Sequence, residues 1–223
     1  HCRGVCHISS GELANILGST SVSRSEALAD NESLASGTAA ERGWTIPNAS
    51  VWGLPLARID TDAMLDLVDR LIERGEPSYF ITANLHYAML TDRDPRLAEV
   101  NRRAAFLVAD GMPLVWWSRW KGCPLPERVT GSDSIYRLCQ RAAQRGQRVF
   151  LLGGAAGVAR HAAERLQERF CGLQIVGVED PVLGTMTSDE HEALLQRVAA
   201  ARADMLFVAL GQPKGEFWLA ENL

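Results

Sequence analysis

Six short apolar runs, interleaved with longer segments of helical period, constrain the fold of this chain more than any other feature. The runs are SVWGL (50–54), SYFITA (78–83), AFLVA (105–109), RVFLL (148–152), LQIVGV (173–178) and DMLFVAL (204–210). Between them lie DAMLDLVDRLIERG, GSDSIYRLCQRAAQRG, GVARHAAERLQERF and SDEHEALLQRVAAARA, with apolar residues three and four apart and Gly closing two of them. A strand buried on both faces reads as an unbroken apolar run, and joining it to a parallel neighbour takes a crossover, usually a helix. The alternation therefore predicts an α/β layered sheet of mostly parallel strands flanked by helices.

The chain's 223 residues suffice for one ample domain, and a hydrophobic share of 47% is ordinary for a globular protein. Its net charge of −4 lacks the basic footprint of a nucleic-acid binder, so no nucleic-acid partner is expected. Residues 8–43 are rich in Ser, Ala, Gly and Glu and poor in groups able to offset the entropy of ordering a backbone. A flexible leader is expected over 1–48, followed by one domain over 49–223. The opening HCRGVCH has no second Cys or His pair downstream, so it reads as a frayed terminus rather than a metal knuckle. Cys2, Cys6, Cys123, Cys139 and Cys171 are odd in number and scattered, which fits reduced thiols and a cytoplasmic protein. No apolar run approaches the roughly 20 residues of a membrane-crossing helix, so the chain is expected to be soluble or to rest on a membrane surface.

Ligands of such sheets collect beyond the carboxyl ends of the strands, where loops splay and helix N-termini converge. Here those positions are Thr82 and Asn84, Asp110, Gly153 and Gly154, Glu179 and Asp180, and Gly211 to Glu216. LLGGAAGV (151–158) suits either a diphosphate seat or a tight turn, and it matches neither the dinucleotide fingerprint nor a Walker loop. GQPKGE (211–216) brings Gln212, Lys214 and Glu216 to a helix start, with Pro213 expected in its first turn. Lys214 there opposes the helix dipole unless a phosphate or the solvent compensates it. Asn84 is a helix cap or a pocket residue, and His86 is expected to pack rather than react. Asp60 and Asp62 resemble a metal-holding Asp-x-Asp, but their place at a helix start reads as capping.

Asp110 interrupts the apolar stretch AFLVADGMPLVWWS (105–118). Either it forms a local Asp-Gly turn, or it is a carboxylate that loses hydration between the Val108 strand and the helix of Trp116 and Trp117, and so suits a general base. In the second case it opens onto a cavity shared with a nucleotide.

Six motifs then occur together and in order: TAN (82–84), DPRL (94–97), VADGMPLVW (108–116), PLPERVTGSD (124–133), VFLLGG (149–154) and DMLFVALGQPKGEFW (204–218). In order and spacing they resemble the WecG/TagA/CpsF glycosyltransferases, bacterial enzymes of teichoic acid, common antigen and capsule or exopolysaccharide assembly, over residues 51 to 223. The resemblance implies a Rossmann-like sheet and an inverting, metal-independent transfer that needs no cofactor. The sugar, often N-acetylmannosamine, passes from a UDP-sugar donor to a sugar carried by a polyprenyl diphosphate. It further implies Asp110 as base, Thr82 and Asn84 as pocket residues, Arg128 as a diphosphate partner, and Gln212, Lys214 and Glu216 in the nucleotide-side motif. Where the family usually shows Pro-Lys-Gln-Glu, this chain has Gly215 in place of the glutamine, which leaves a catalytically impaired UDP-binding or assembly module as the alternative. Family members continue past the equivalent of Leu223 with a strand, a Gly-rich turn and a basic segment. The resemblance thus implies a truncated domain and peripheral contact with the inner face of the membrane through that further segment. The Trp116, Trp117 and Trp120 face is expected in the core or in a homo-oligomer contact.

Overall fold

The computed structural model describes residues 4–7 and 45–223. Among them, eight strands form one sheet in the order β2-β3-β5-β4-β1-β8-β6-β7. The strands are β1 (Gly4–His7), β2 (Asn48–Val51), β3 (Leu54–Ala57), β4 (Tyr79–Ala83), β5 (Leu107–Ala109), β6 (Arg148–Gly153), β7 (Gln174–Glu179) and β8 (Met205–Ala209). The helices are α1 (Thr61–Arg74), α2 (Leu85–Arg93), α3 (Arg96–Arg103), α4 (Met112–Trp120), α5 (Gly131–Arg145), α6 (Val158–Arg169), α7 (Ser188–Ala200) and α8 (Lys214–Asn222). Every pairing is parallel except β2 with β3. The α/β layered architecture expected from the alternation is the one found.

Strands β4, β5 and β8 are buried at every position, which is why each reads as a solid apolar run. Alternate residues feed two cores. Phe80, Val108, Leu151 and Phe207 face the layer of α1, α5 and α6. Ile81, Leu107, Leu152 and Val208 face the layer containing α2, α3, α4, α7 and α8. Phe80 and Phe106 stack in the first layer with centroids 4.8 Å apart. On that side α1 and α5 run parallel and are laced by ion pairs: Arg137 to Asp62 at 2.6 Å, Arg141 to Asp66 at 2.6 Å and to the buried Asp69, and Arg145 to Asp69 at 3.2 Å.

Two expectations change. The run at 50–54 is not one strand. Trp52 and Gly53 take positive φ, 48° and 79°, and form a corner that turns β2 back antiparallel onto β3. At the sheet edge a tight hairpin replaces the crossover that parallel neighbours require. The second change concerns the expected leader over 1–48. Its Gly4–His7 form β1 at the sheet centre, with Cys6 in register with Phe80 of β4 and Phe207 of β8, and its Asn48 opens β2. Residues 1–3 and 8–44, with Cys2, lie outside the described residues. Cys139 is buried while Cys123 and Cys171 are exposed, and all three are free thiols. No described helix is long and apolar enough to cross a membrane.

Candidate active site

Register brings the first candidates together. Thr82 pairs with Val108 and Ala83 with Ala109, and the Asp110 N–H donates to the Ala83 carbonyl at 2.8 Å. One step further, Asn84 and Asp110 leave neighbouring strands at the same level, about 4.8 Å apart by strand spacing. Strand alternation turns Asp110 to the side of Val108, toward α5 and away from α4. There its Oδ2 accepts the Gly131 N–H at 3.3 Å, placing the carboxylate at the N-terminus of α5, where the helix dipole favours negative charge. Thr130 caps the same helix by accepting the Asp133 N–H at 3.1 Å.

This arrangement departs from both sequence readings of Asp110. The carboxylate makes no local Asp-Gly turn, because its partner lies 21 residues on. The tryptophans do not wall it in: Trp116 is 60% exposed, and Trp117 packs on Trp52 and Trp120 with centroids 5.2 and 5.0 Å away. Asp110 is half-buried. Nearby, the Val129 N–H donates to the Ala109 carbonyl at 2.9 Å and pins the preceding loop beside β5. Arg128 therefore stands next to the carboxylate's strand, exposed and without a hydrogen bond or ion pair to any described residue.

The other candidates divide into an upper and a lower tier. Asn84 is half-buried at the strand end and caps α2, its Oδ1 accepting the Tyr87 N–H at 2.9 Å. That orientation leaves its Nδ2 amide for another partner. Thr82, at 1% exposure, and Glu216, at 0%, lie beneath the surface and do not reach solvent. Gln212 lies between them: its Nε2 donates to the Thr82 carbonyl at 3.3 Å. Burial raises the Glu216 carboxyl to about 8, with its own backbone N–H and Gln212 opposing the rise. It is therefore mostly protonated at neutral pH.

Tyr87, which the sequence reading passed over for the exposed His86, belongs to this lower tier. Its hydroxyl donates to Asn101 Oδ1 at 2.7 Å, and burial, followed by the nearby Glu216, pushes its ionisation far up. Its signal in the sequence is its place three residues after the Asn84 cap, the first inward-facing turn of the helix.

In the Gly-rich loop, which the sequence left open between a diphosphate seat and a tight turn, glycine serves strand closure. Gly153 has φ +105°, and a Cβ there would lie 2.5 Å from the Ala209 carbonyl oxygen, so β6 and β8 close on each other only with glycine at this position. The Gly154 N–H donates to that same carbonyl at 2.9 Å, and the Gly157 N–H donates to Asp180 Oδ2 at 2.7 Å. Strand closure and an internal carboxylate thus take the Gly154 and Gly157 amides. Glu179 is paired with Arg197 at 2.6 Å. The Asp60 and Asp62 pair is capping chemistry: Asp60 accepts the Ala63 N–H at 2.8 Å, and Asp62 meets Arg137.

Lys214 is exposed as the first residue of α8, directly after Pro213 rather than behind a proline inside the first turn. It lines a cavity of about 410 Å³ between the β7–α7 loop and α8, together with Leu183, Met186, His191, Phe217 and Trp218. Asp110 does not line this cavity. Along the strand order β5-β4-β1-β8, three strand spacings, about 14 Å, separate the two positions.

Residues 49–223 match the model of the Glycosyl transferase WecG/TagA/CpsF family, and the chain belongs to that family. A Bacillus spizizenii protein named N-acetylglucosaminyldiphosphoundecaprenol N-acetyl-beta-D-mannosaminyltransferase is 32% identical to it over 148 residues, which are 66% of this chain. The match spans 56% of that relative's length.

Proposed function

We propose that this chain carries the catalytic core of an inverting glycosyltransferase. It moves N-acetylmannosamine, or a related hexose or uronic acid, from a UDP donor to a sugar on a polyprenyl diphosphate. The observation that carries this reading is the meeting of Asp110 and Asn84 at the carboxyl ends of adjacent strands, with Arg128 on the loop pinned beside β5 and the Asp110 carboxylate held by one long hydrogen bond.

In the reaction, the acceptor hydroxyl oxygen attacks the anomeric carbon, its proton passes to Asp110, and the bond from that carbon to the UDP oxygen breaks with its electron pair leaving on the diphosphate. Arg128 offsets the charge that develops there, as a cation beside the reacting centre. The nucleotide end lies toward Lys214 and its cavity, and the donor spans the strand ends between that cavity and Asp110. Asn84 Nδ2 orients sugar hydroxyls. Thr82, Gln212 and Glu216 support this surface from below. The membrane-bound acceptor implies action at the inner face of the cell membrane.

Gly215, in place of the family's usual glutamine, favours a second reading in which the chain binds UDP but transfers poorly. The test is to incubate the chain with UDP-N-acetylmannosamine and a lipid-linked N-acetylglucosamine acceptor while measuring UDP binding separately. Transfer with inversion supports the first reading. Binding without transfer supports the second, and absence of both overturns the proposal.

A further inference from the structure

β1 enters the sheet out of chain order. It is the first strand, yet it lies between β4 and β8. Val5, Cys6 and His7 run in parallel register with Tyr79, Phe80 and Ile81 on one side and with Leu206, Phe207 and Val208 on the other. Residues 8–47 separate it from β2, which sits at the far edge of the sheet. β1 also falls outside the family match over 49–223.

The slot it fills joins the two halves of the candidate site, because β4 leads to Asn84 and β8 to Gln212 and Lys214. Both walls are strands buried at every position. Without a strand between them, two apolar edges would stand open with their ladder groups unpaired. Tyr79, Ile81 and Ala83 bond toward β5, so the Thr82 carbonyl faces the slot. Pairing with β1 ends at Ile81, and Gln212 Nε2 takes that next carbonyl at 3.3 Å.

The hand of the crossovers indicates which strand the slot suits. Those from β3 to β4 and from β6 to β7 step toward the β7 edge and carry α1 and α6 in the first layer. Those from β4 to β5 and from β7 to β8 step toward the β2 edge and carry α2, α3 and α7 in the second. One hand serves all four, as parallel crossovers require. α8 follows β8 and packs in the second layer through Trp218 and Leu219. The same hand directs a strand after α8 toward the β2 edge, and the position beside β8 on that side is the one β1 holds. α8 packs beside α3: Arg103 donates to the Ala220 carbonyl, and the Arg96 guanidinium lies 4.7 Å from the Phe217 ring centre. Its nine residues span about 13 Å and bring Asn222 back along most of the length of β8. Entry from there needs only a short loop, whereas the connection over residues 8–47 costs more closure entropy.

We infer that the space between β4 and β8 is an exchangeable strand site, held by β1 in this structure and open to an extended segment entering from the end of α8. Its occupant is a parallel strand recognised through backbone ladders on both sides, and whichever strand holds it fastens the Asn84 half of the site to the Lys214 half.

The test uses the full chain with Val5→Pro. Val5 pairs with both Tyr79 and Leu206, and a central strand excludes proline. The probe is a fluorescent peptide of residues 1–8, followed by anisotropy. V5P should lower the urea midpoint and bind the peptide at least about tenfold more tightly than the wild type, whose own tethered strand competes at high effective concentration. The same peptide carrying V5P should bind neither chain. In a third protein, Gly4–His7 is repeated after Leu223 of the V5P chain through a short Gly-Ser linker, and the parental urea midpoint should return. If V5P alone is insoluble, this appended strand should restore a soluble fold. A V5P chain of parental stability would overturn the inference, as would equal peptide binding by both chains or binding of the V5P peptide. An appended strand that rescues neither midpoint nor solubility would overturn it too, because the slot would then be closed to entry from α8.

Discussion

The Asp110 carboxylate and the Gly131 amide, at the end of β5 and the start of α5, meet at 3.3 Å. The bond is long for an N–H to a carboxylate, which ordinarily closes to about 2.8 Å. It orients the side chain while leaving Oδ1 without a partner among the described residues. A base needs this combination of a fixed position and an oxygen open to a proton.

Arg128 stands beside that carboxylate's strand with its guanidinium uncommitted. Arg128→Ala should lower UDP affinity by about tenfold, the scale of one lost charge-assisted contact, and titration calorimetry reads this directly. Because the side chain is exposed, its thermal midpoint should stay within about 1 °C of the parent. Unchanged UDP affinity would move Arg128 to the acceptor's diphosphate.

Glu216 gives the fold a pH dependence with a definite sign. Its carboxyl ionises at about 8 in the folded chain, against 4.5 for an ordinary glutamate. The unfolded chain therefore releases this proton first as pH rises, and stability falls through the window from about 4.5 to 8. The full shift corresponds to a loss on the order of 5 kcal/mol. Glu216→Gln should flatten that slope in urea unfolding series, with its largest gain over the parent near pH 8. A slope that survives the substitution would mean that the carboxyl is already ionised in the fold.

Gly153→Ala tests the Gly-rich loop as a strand closure. The added methyl would lie 2.5 Å from the Ala209 oxygen at a φ of +105°. Unfolding free energy should drop by about 2 to 4 kcal/mol, from backbone strain and overpacking together. A variant of parental stability that had lost UDP affinity would return the loop to phosphate binding.

The sequence revealed most where one physical rule acted alone. Strands buried on both faces stand out as apolar runs, so β4, β6 and β8 were legible almost to the residue, and the half-buried edge strand β7 was read from the same apolar texture. The caps Asp60 and Asn84 were legible because their side chains bond backbone three residues on. The Trp52–Gly53 corner was not, because SVWGL has the texture of a strand and only positive φ reveals the turn. Nor was β1, whose place depends on pairings with β4 and β8 some 75 and 200 residues away. At the site, Asp110 stood out as a charge between two apolar elements. Its partner Gly131 and the depth of Glu216 depend on how helices settle on the sheet, which no local spacing encodes. The glycines stayed ambiguous for a related reason: the sequence shows an amide free of Cβ but not which carbonyl has already taken its hydrogen.

The most direct test of the account is steady-state transfer by Asp110→Asn, paired with UDP calorimetry on the same preparation. Loss of the base should lower turnover by about 10² to 10⁴ while UDP affinity stays within twofold. Turnover equal to the parent, or a loss of activity matched by an equal loss of UDP binding, would contradict the assignment of Asp110 as the group that takes the acceptor's proton.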